Sequence, residues 1–182
     1  MSTDRAELIM GNADLLAGPA VVSRAIARMA GEIARALATT NPVVLCVMKG
    51  GLIFAGHLLT QLNFPMEIDY VHVTRYGEHT CGKTLNWAAT PCTPLKDRIV
   101  LLVDDILDEG VTLAEIIKYC QQQGAEKVYT AVLVDKQHGR KCLELPTADF
   151  TGLYMQDRFL FGFGMDCQGY WRNANGIFAV RD

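Results

Sequence analysis

The chain has 182 residues and a net charge of −3, with half of its residues apolar and a fifth charged. That length favours one domain, residues 1–182, able to bury roughly two thirds of the surface its unfolded chain exposes. The composition excludes a disordered chain and a broad basic face, so no nucleic-acid partner is expected and any anionic ligand must be bound by local design.

The opening "MSTDRAELIM" has no basic stretch leading into an apolar one. No apolar run approaches the ~18 residues a membrane span needs, so the expectation is a soluble cytoplasmic protein without a membrane partner. Cys46, Cys81, Cys92, Cys120, Cys142 and Cys167 are scattered, with no C-x-x-C pair. Reduced thiols are the simpler reading than a zinc site or a disulfide framework.

From Ala20 to Leu37 the apolar Val22, Ile26, Met29, Ile33 and Leu37 recur at helical spacing, with Pro19 near the start. "VVLCVM", Val43 to Met48, reads as a buried strand that Lys49-Gly50-Gly51 breaks, and Leu52 to Leu62 resumes helical character. "MEIDYVHVT", Met66 to Thr74, is strand-like, and residues 75–97 follow as a long polar loop of the kind used for lids or binding. A strand beginning at Ile99, a helix from about Thr112 to Gln123 and a strand from Lys127 to Val134 complete an alternation that predicts right-handed βαβ crossovers and a mostly parallel sheet flanked by helices. The aromatic and glycine-rich stretch from Phe150 to Asn173 has no helical period and suggests a small hood of short strands, within about residues 147–182.

The densest chemistry lies in "IVLLVDDILDEGVT", where an aliphatic strand runs into Asp104, Asp105, Asp108 and Glu109. Carboxylates this close repel and need cations, donors or water to stay ionised. In an open α/β sheet ligands bind beyond the carboxyl ends of strands, and the helix that follows Gly110 offers free N–H groups to an anion. A plainer account also exists, because Thr112 and Glu115 fit a T-x-x-E capping box and Gly110 fits an ordinary turn.

The order of buried strand, acidic pair, two aliphatics, Asp, Gly, hydroxyl and helix resembles the phosphoribosyl-pyrophosphate loop of the type I phosphoribosyltransferases, in particular their hypoxanthine-guanine branch. "VMKGG" resembles that family's pyrophosphate loop, "RYGEHT" the start of its lid, "LVDK" its purine-contacting lysine, and "DRFLFGFGMD" with "YWR" its purine-binding hood. Two positions depart from the pattern: Glu109 stands where a hydroxyl residue is usual, and Arg75-Tyr76 where many relatives have Ser-Tyr.

The resemblance implies purine salvage, in which the 5-phosphoribosyl group of phosphoribosyl pyrophosphate passes to N9 of hypoxanthine or guanine, giving IMP or GMP and pyrophosphate. It implies that Asp104 and Asp105 hold the ribose diol and Mg2+, that Ile106 and Leu107 belong to the same phosphoribosyl-binding segment, and that Asp108, Glu109, Gly110, Val111 and Thr112 wrap the 5′-phosphate. Asp108 would be the general base at purine N7, and Lys49, Gly50 and Arg172 would meet pyrophosphate, with a non-proline cis bond at Met48-Lys49. Lys136, Arg158, Phe159, Leu160 and Asp166 would bind the purine, with Asp166 also touching the metal through water. Arg75 and Tyr76 would belong to the lid, and a homodimer or homotetramer is implied. An ammonium at Lys136 only donates, which suits a 6-oxopurine and opposes adenine. His57, His72, His79 and His138 fall outside the matched motifs and read as structural or surface residues.

The rival from another class is a non-catalytic sensor of phosphoribosyl pyrophosphate or nucleotide on the same fold. Such regulators bring a DNA-binding domain or a basic face, which this acidic chain lacks. "DDILD" also matches an isoprenoid-synthase magnesium motif, but that motif sits on a helix in an all-helical fold, whereas this one follows a β-rich run.

Overall fold

The computed structural model describes residues 1–75 and 85–181. In chain order the elements are α1 (Thr3–Gly11), β1 (Asp14–Ala17), α2 (Pro19–Leu37), β2 (Val43–Met48), α3 (Gly51–Leu59), β3 (Glu67–Arg75) and β4 (Leu85–Ala89). They continue with β5 (Ile99–Leu107), α4 (Val111–Gln122), β6 (Lys127–Gln137), β7 (Phe150–Gln156), β8 (Leu160–Phe161) and β9 (Ile177–Ala179).

Six strands form one sheet in the order β4-β3-β2-β5-β6-β7. β3, β2, β5, β6 and β7 run parallel to their neighbours, and β4 is antiparallel on the β3 edge. β2 and β5 are central and buried on both faces, which is why they read as unbroken aliphatic runs. On one face α2 and α3 supply Ile26, Met29, Ile33, Phe54 and Leu58, all essentially inaccessible to solvent, and on the other α4 packs Leu113, Ile116 and Cys120. Gly51 begins α3 where a Cβ would meet the Val103 carbonyl of β5 at 2.5 Å, so only glycine lets the helix approach that closely.

A second sheet of three short antiparallel strands, β1-β9-β8, stands beside the first. The C-terminal region therefore divides in a way its composition does not announce. Phe150–Gln156 extends the main sheet as β7, buried at Phe150, Thr151 and Gly152, and the small sheet instead recruits β1 from near the N-terminus. Arg158 and Arg181 both donate to Asp14, at 2.8 and 2.7 Å, and Trp171 Nε1 donates to the Ala6 carbonyl at 2.7 Å, tying α1 and β1 to this hood. The polar stretch read as a continuous loop over residues 75–97 contains β4, whose Trp87 ring packs on Tyr119 of α4 at 4.5 Å between centroids. No helix among the described residues is long and apolar enough to cross a membrane.

Candidate active site

The parallel register builds the site. Leu107 lies opposite Asp135 in the β5–β6 ladder, so the next residues along each strand, Asp108 and Lys136, emerge side by side at the carboxyl ends. Gln137 lies opposite Gln156 in the β6–β7 ladder, which brings Asp157 to the same rim. A cavity of about 530 Å³ opens there, walled by the ends of β2, β3, β5 and β6, the start of α4, and the hood.

Thirteen of the residues singled out from the sequence line this cavity. Lys49 and Gly50 come from the turn after β2, and Asp104, Asp105, Ile106, Asp108, Gly110 and Thr112 from β5 and the loop into α4. Lys136 comes from β6, and Phe159, Leu160, Asp166 and Arg172 from the hood. Leu107 is wholly buried among core residues on the α4 side, and neither Glu109 nor Val111 lines the cavity. Arg158 does not line it either, because its guanidinium is engaged by Asp14 and by the Val180 carbonyl at 3.0 Å. Tyr76, with most of the segment expected to form the lid, lies outside the described residues, and Arg75 ends β3.

Asp104 and Asp105 are almost fully buried, and the Asp105 N–H donates to Asp104 Oδ1 at 2.9 Å. Burial pushes Asp104 well above the ordinary carboxylate range, with the neighbouring Asp105 charge adding to the rise. Burial raises Asp105 as well, and the Arg172 guanidinium pulls both back down. The Met48-Lys49 peptide is cis, and a side chain at Gly50 would run into the Asp105 carboxylate. Arg172 pairs with Asp166 and donates to the Gly164 carbonyl at 2.7 Å, and Asp166 also accepts the Gly169 N–H at 2.6 Å.

The capping-box account of Thr112 and Glu115 fails. Gly110, in the left-handed region at φ 83°, is the N-cap of α4, Thr112 sits within the first turn, and Glu115 pairs with Lys118 at 2.7 Å. A glycine cap carries no side chain to meet the first-turn N–H groups, which leaves them suited to an anion.

Asp108 is held from two sides: Lys136 Nζ donates to its Oδ2 at 2.9 Å and His138 Nε2 lies 2.6 Å from its Oδ1. Burial alone would raise the Asp108 pKa, but these two hydrogen bonds outweigh it and hold the carboxyl below its ordinary value. Asp157 lies 3.7 Å from Lys136 Nζ and pairs with both terminal nitrogens of Arg140, at 2.6 and 3.0 Å. Asp108, His138 and Asp157 are close enough to hold a metal ion together, yet Lys136 and Arg140 already supply positive charge to both carboxylates.

His138 corrects the reading of the histidines. It is not a surface residue, since its side chain is 4% exposed against Asp108. The signal was present in "DKQHGR": positions two apart on an extended chain share a side, so His138 follows Lys136. His72 also lines the cavity, from the β3 register opposite Met48, while His57 packs on Phe163 at 4.9 Å between centroids and His79 lies outside the described residues.

Comparison with known proteins bears on the family and the fold. The phosphoribosyl transferase domain profile matches residues 12–166. A hypoxanthine-guanine-xanthine phosphoribosyltransferase from Tritrichomonas foetus is 29% identical over 161 residues, covering 88% of this chain and 87% of that protein. A hypoxanthine-guanine phosphoribosyltransferase from Aquifex aeolicus is 31% identical over 163 residues, covering 88% and 90%. Among solved structures, a hypoxanthine-guanine phosphoribosyltransferase from Bacillus anthracis superposes with a TM-score of 0.86 at 26% identity, covering 92% of this chain and 98% of that one. A family profile spanning most of the chain, relatives matched along nearly their whole length and a shared fold lead to one conclusion: the protein belongs to the phosphoribosyltransferase family.

Proposed function

We propose that the protein is a purine-salvage enzyme that transfers the 5-phosphoribosyl group of phosphoribosyl pyrophosphate to N9 of hypoxanthine or guanine, yielding IMP or GMP and pyrophosphate. The observation that supports this most directly is the Asp108–Lys136 pair at 2.9 Å beside the exposed ring of Phe159. An acceptor next to a donor complements N7–H and the C6 oxygen along one edge of a 6-oxopurine, and an aromatic face can stack on the base. Adenine presents the opposite polarity at C6.

On this reading Asp108 removes the N7 proton while Lys136 holds the C6 oxygen, and N9 then attacks the anomeric carbon. The amides from Glu109 to Thr112 take the 5′-phosphate, and Lys49, the Gly50 N–H and Arg172 take pyrophosphate. Leu160 contributes backbone hydrogen bonds to the base. Arg158, engaged by Asp14 and Val180, is assigned to orienting the hood rather than to the purine.

Asp104 and Asp105, with Asp166 through water, would hold Mg2+. Paired buried oxygens that resist ionisation together fit a hard divalent cation, which in turn would neutralise charge on the departing pyrophosphate. The transition state resembles an oxocarbenium ion, so placed charge and exclusion of water do most of the catalysis. A cytoplasmic homodimer or homotetramer accords with this reading.

The test is a steady-state assay with hypoxanthine, guanine, xanthine and adenine, each with phosphoribosyl pyrophosphate and Mg2+, following nucleotide and pyrophosphate. Turnover of the oxopurines but not of adenine is expected. Tight phosphoribosyl-pyrophosphate binding without turnover of any purine would establish the sensor instead.

A further inference from the structure

We propose that His138 is a positioning residue that immobilises Oδ1 of Asp108, leaving Oδ2 as the single atom that receives the purine proton once Lys136 turns to the purine oxygen. This rests on the reading of Asp108 as the base.

The two oxygens of Asp108 are not equivalent. Oδ2 accepts from Lys136 and Oδ1 meets His138. The histidine is fixed at both nitrogens, because Nδ1 accepts the Arg140 backbone N–H at 3.1 Å. A nitrogen that accepts cannot carry the proton in a neutral imidazole, so the network assigns the hydrogen to Nε2 and makes His138 the donor to Asp108. Its ring is buried against Asp108 at 2.6 Å, while the carboxylate of Asp157, within 4.8 Å, is already paired with Arg140.

Lys136 differs in this respect. Its ammonium lies between Asp108 and Asp157, 2.9 and 3.7 Å away, on a flexible stem with several donors, and it can exchange Oδ2 for a ligand oxygen. Among the described residues, the groups facing Asp108 are thus Lys136 and His138 from the end of β6 and Asp157 from the end of β7, with Arg140 beside them, whose proton affinity Asp108 and Glu109 both strengthen.

When Lys136 donates to the purine oxygen, Oδ2 loses its donor and Oδ1 keeps one. The N7 proton passes to Oδ2 and its bonding pair stays in the ring. N9 forms the bond to the anomeric carbon, and the pair of the broken carbon–oxygen bond leaves with pyrophosphate. The proton then leaves Asp108, whose side chain is 41% exposed, to solvent after the nucleotide departs. Without His138 the carboxylate would rotate with Lys136 and present its lone pairs less often to N7.

The test compares wild type with His138→Leu, His138→Gln and His138→Asn in the full chain. Leu should lower kcat about tenfold, the loss expected for one hydrogen bond to a charged group, with phosphoribosyl-pyrophosphate affinity within about twofold. It should also move the acid limb of the pH profile to higher pH. Gln, whose amide nitrogen reaches the place of Nε2, should restore both the rate and the limb, and the shorter Asn should not. A wild-type profile in the Leu variant, or Gln as impaired as Leu, would overturn the proposal. If Leu melts below the assay temperature, Gln against Asn decides, and equal behaviour of those two overturns it. Carbon NMR titration of the Asp108 carboxyl, identified by its loss in Asp108→Asn, provides a readout without turnover. It should titrate higher in the Leu variant than in wild type even if no purine is turned over, and an unchanged titration counts against His138. Absence of turnover in wild type would instead refute the proposed function alone.

Discussion

Lys136 and Asp108 form an ion pair at 2.9 Å that strand register alone brings together, one residue beyond the Leu107–Asp135 pairing of two adjacent parallel strands. The lysine side chain is 10% exposed, so its charge acts in a partly desolvated setting and helps hold Asp108 ionised. Replacing it by Gln removes the charge and introduces a side chain that accepts as well as donates. Lys136→Gln should therefore narrow the preference for 6-oxopurines over adenine. It should also shift the acid limb of kcat/KM to higher pH, because the Asp108 carboxyl loses a partner that lowers its pKa. Competition assays across pH read both effects, and unchanged selectivity would remove Lys136 as the selector.

Asp108→Asn keeps the shape of the side chain and loses its basicity. Turnover should fall by about 100-fold to 10,000-fold, the span typical of a positioned general base, with phosphoribosyl-pyrophosphate affinity changed by no more than a few fold. Equilibrium binding alongside single-turnover kinetics separates the two. Near-normal turnover in the Asn variant would require another base.

The hood and the sheet meet at two glycines. Gly164, at φ 111°, lies where a Cβ would overlap the Gly50 carbonyl and sit 3.2 Å from Asp105 Cβ. An alanine there pairs a left-handed backbone with overpacking, and the two together should cost about 2–4 kcal/mol. For a chain of this size that corresponds to a melting temperature roughly 5–15 °C lower. Because Gly164 also exchanges hydrogen bonds with Arg172, the variant should bind pyrophosphate more weakly. A melting temperature within a degree or two of wild type would show that the hood can yield at this contact.

These contacts show where sequence was informative. The central sheet was legible because β2 and β5 are buried on both faces and α2 carries an unbroken helical period, so each element announces itself locally. The small sheet was not, because β1 and β9 are four and three residues long and pair across nearly the whole chain, too short to carry a period. β4 was hidden by its polar surroundings as an antiparallel edge strand. At the site, the acidic loop and the lysine declared themselves by residue order and His138 by its two-residue spacing from Lys136, whereas Asp157 joins only through the register of β6 with β7 and brings its Arg140 partner with it. The T-x-x-E pattern misled because a glutamate three residues before a lysine serves equally well as a helix-surface pair.

Glu109 is the carboxylate that departs from the family pattern, and its position limits what it does. It does not line the cavity, its carbonyl accepts the Cys142 N–H at 2.8 Å, and its charge is among those that strengthen the proton affinity of Arg140. A carboxylate aimed at a bound 5′-phosphate would add repulsion of about 1 kcal/mol or more, weakening binding by up to tenfold. Set back from the cavity, Glu109 keeps its charge toward the rim, which on the proposed reading leaves only its backbone to the phosphate. Glu109→Thr should therefore tighten phosphoribosyl-pyrophosphate binding by less than about tenfold, or 1.4 kcal/mol, and leave turnover nearly unchanged. Calorimetric titration at two salt concentrations reads this directly, since a repulsion across solvent fades with ionic strength. A gain much beyond tenfold would place the carboxylate against the phosphate, and a fall in turnover would give Glu109 an active part in the loop.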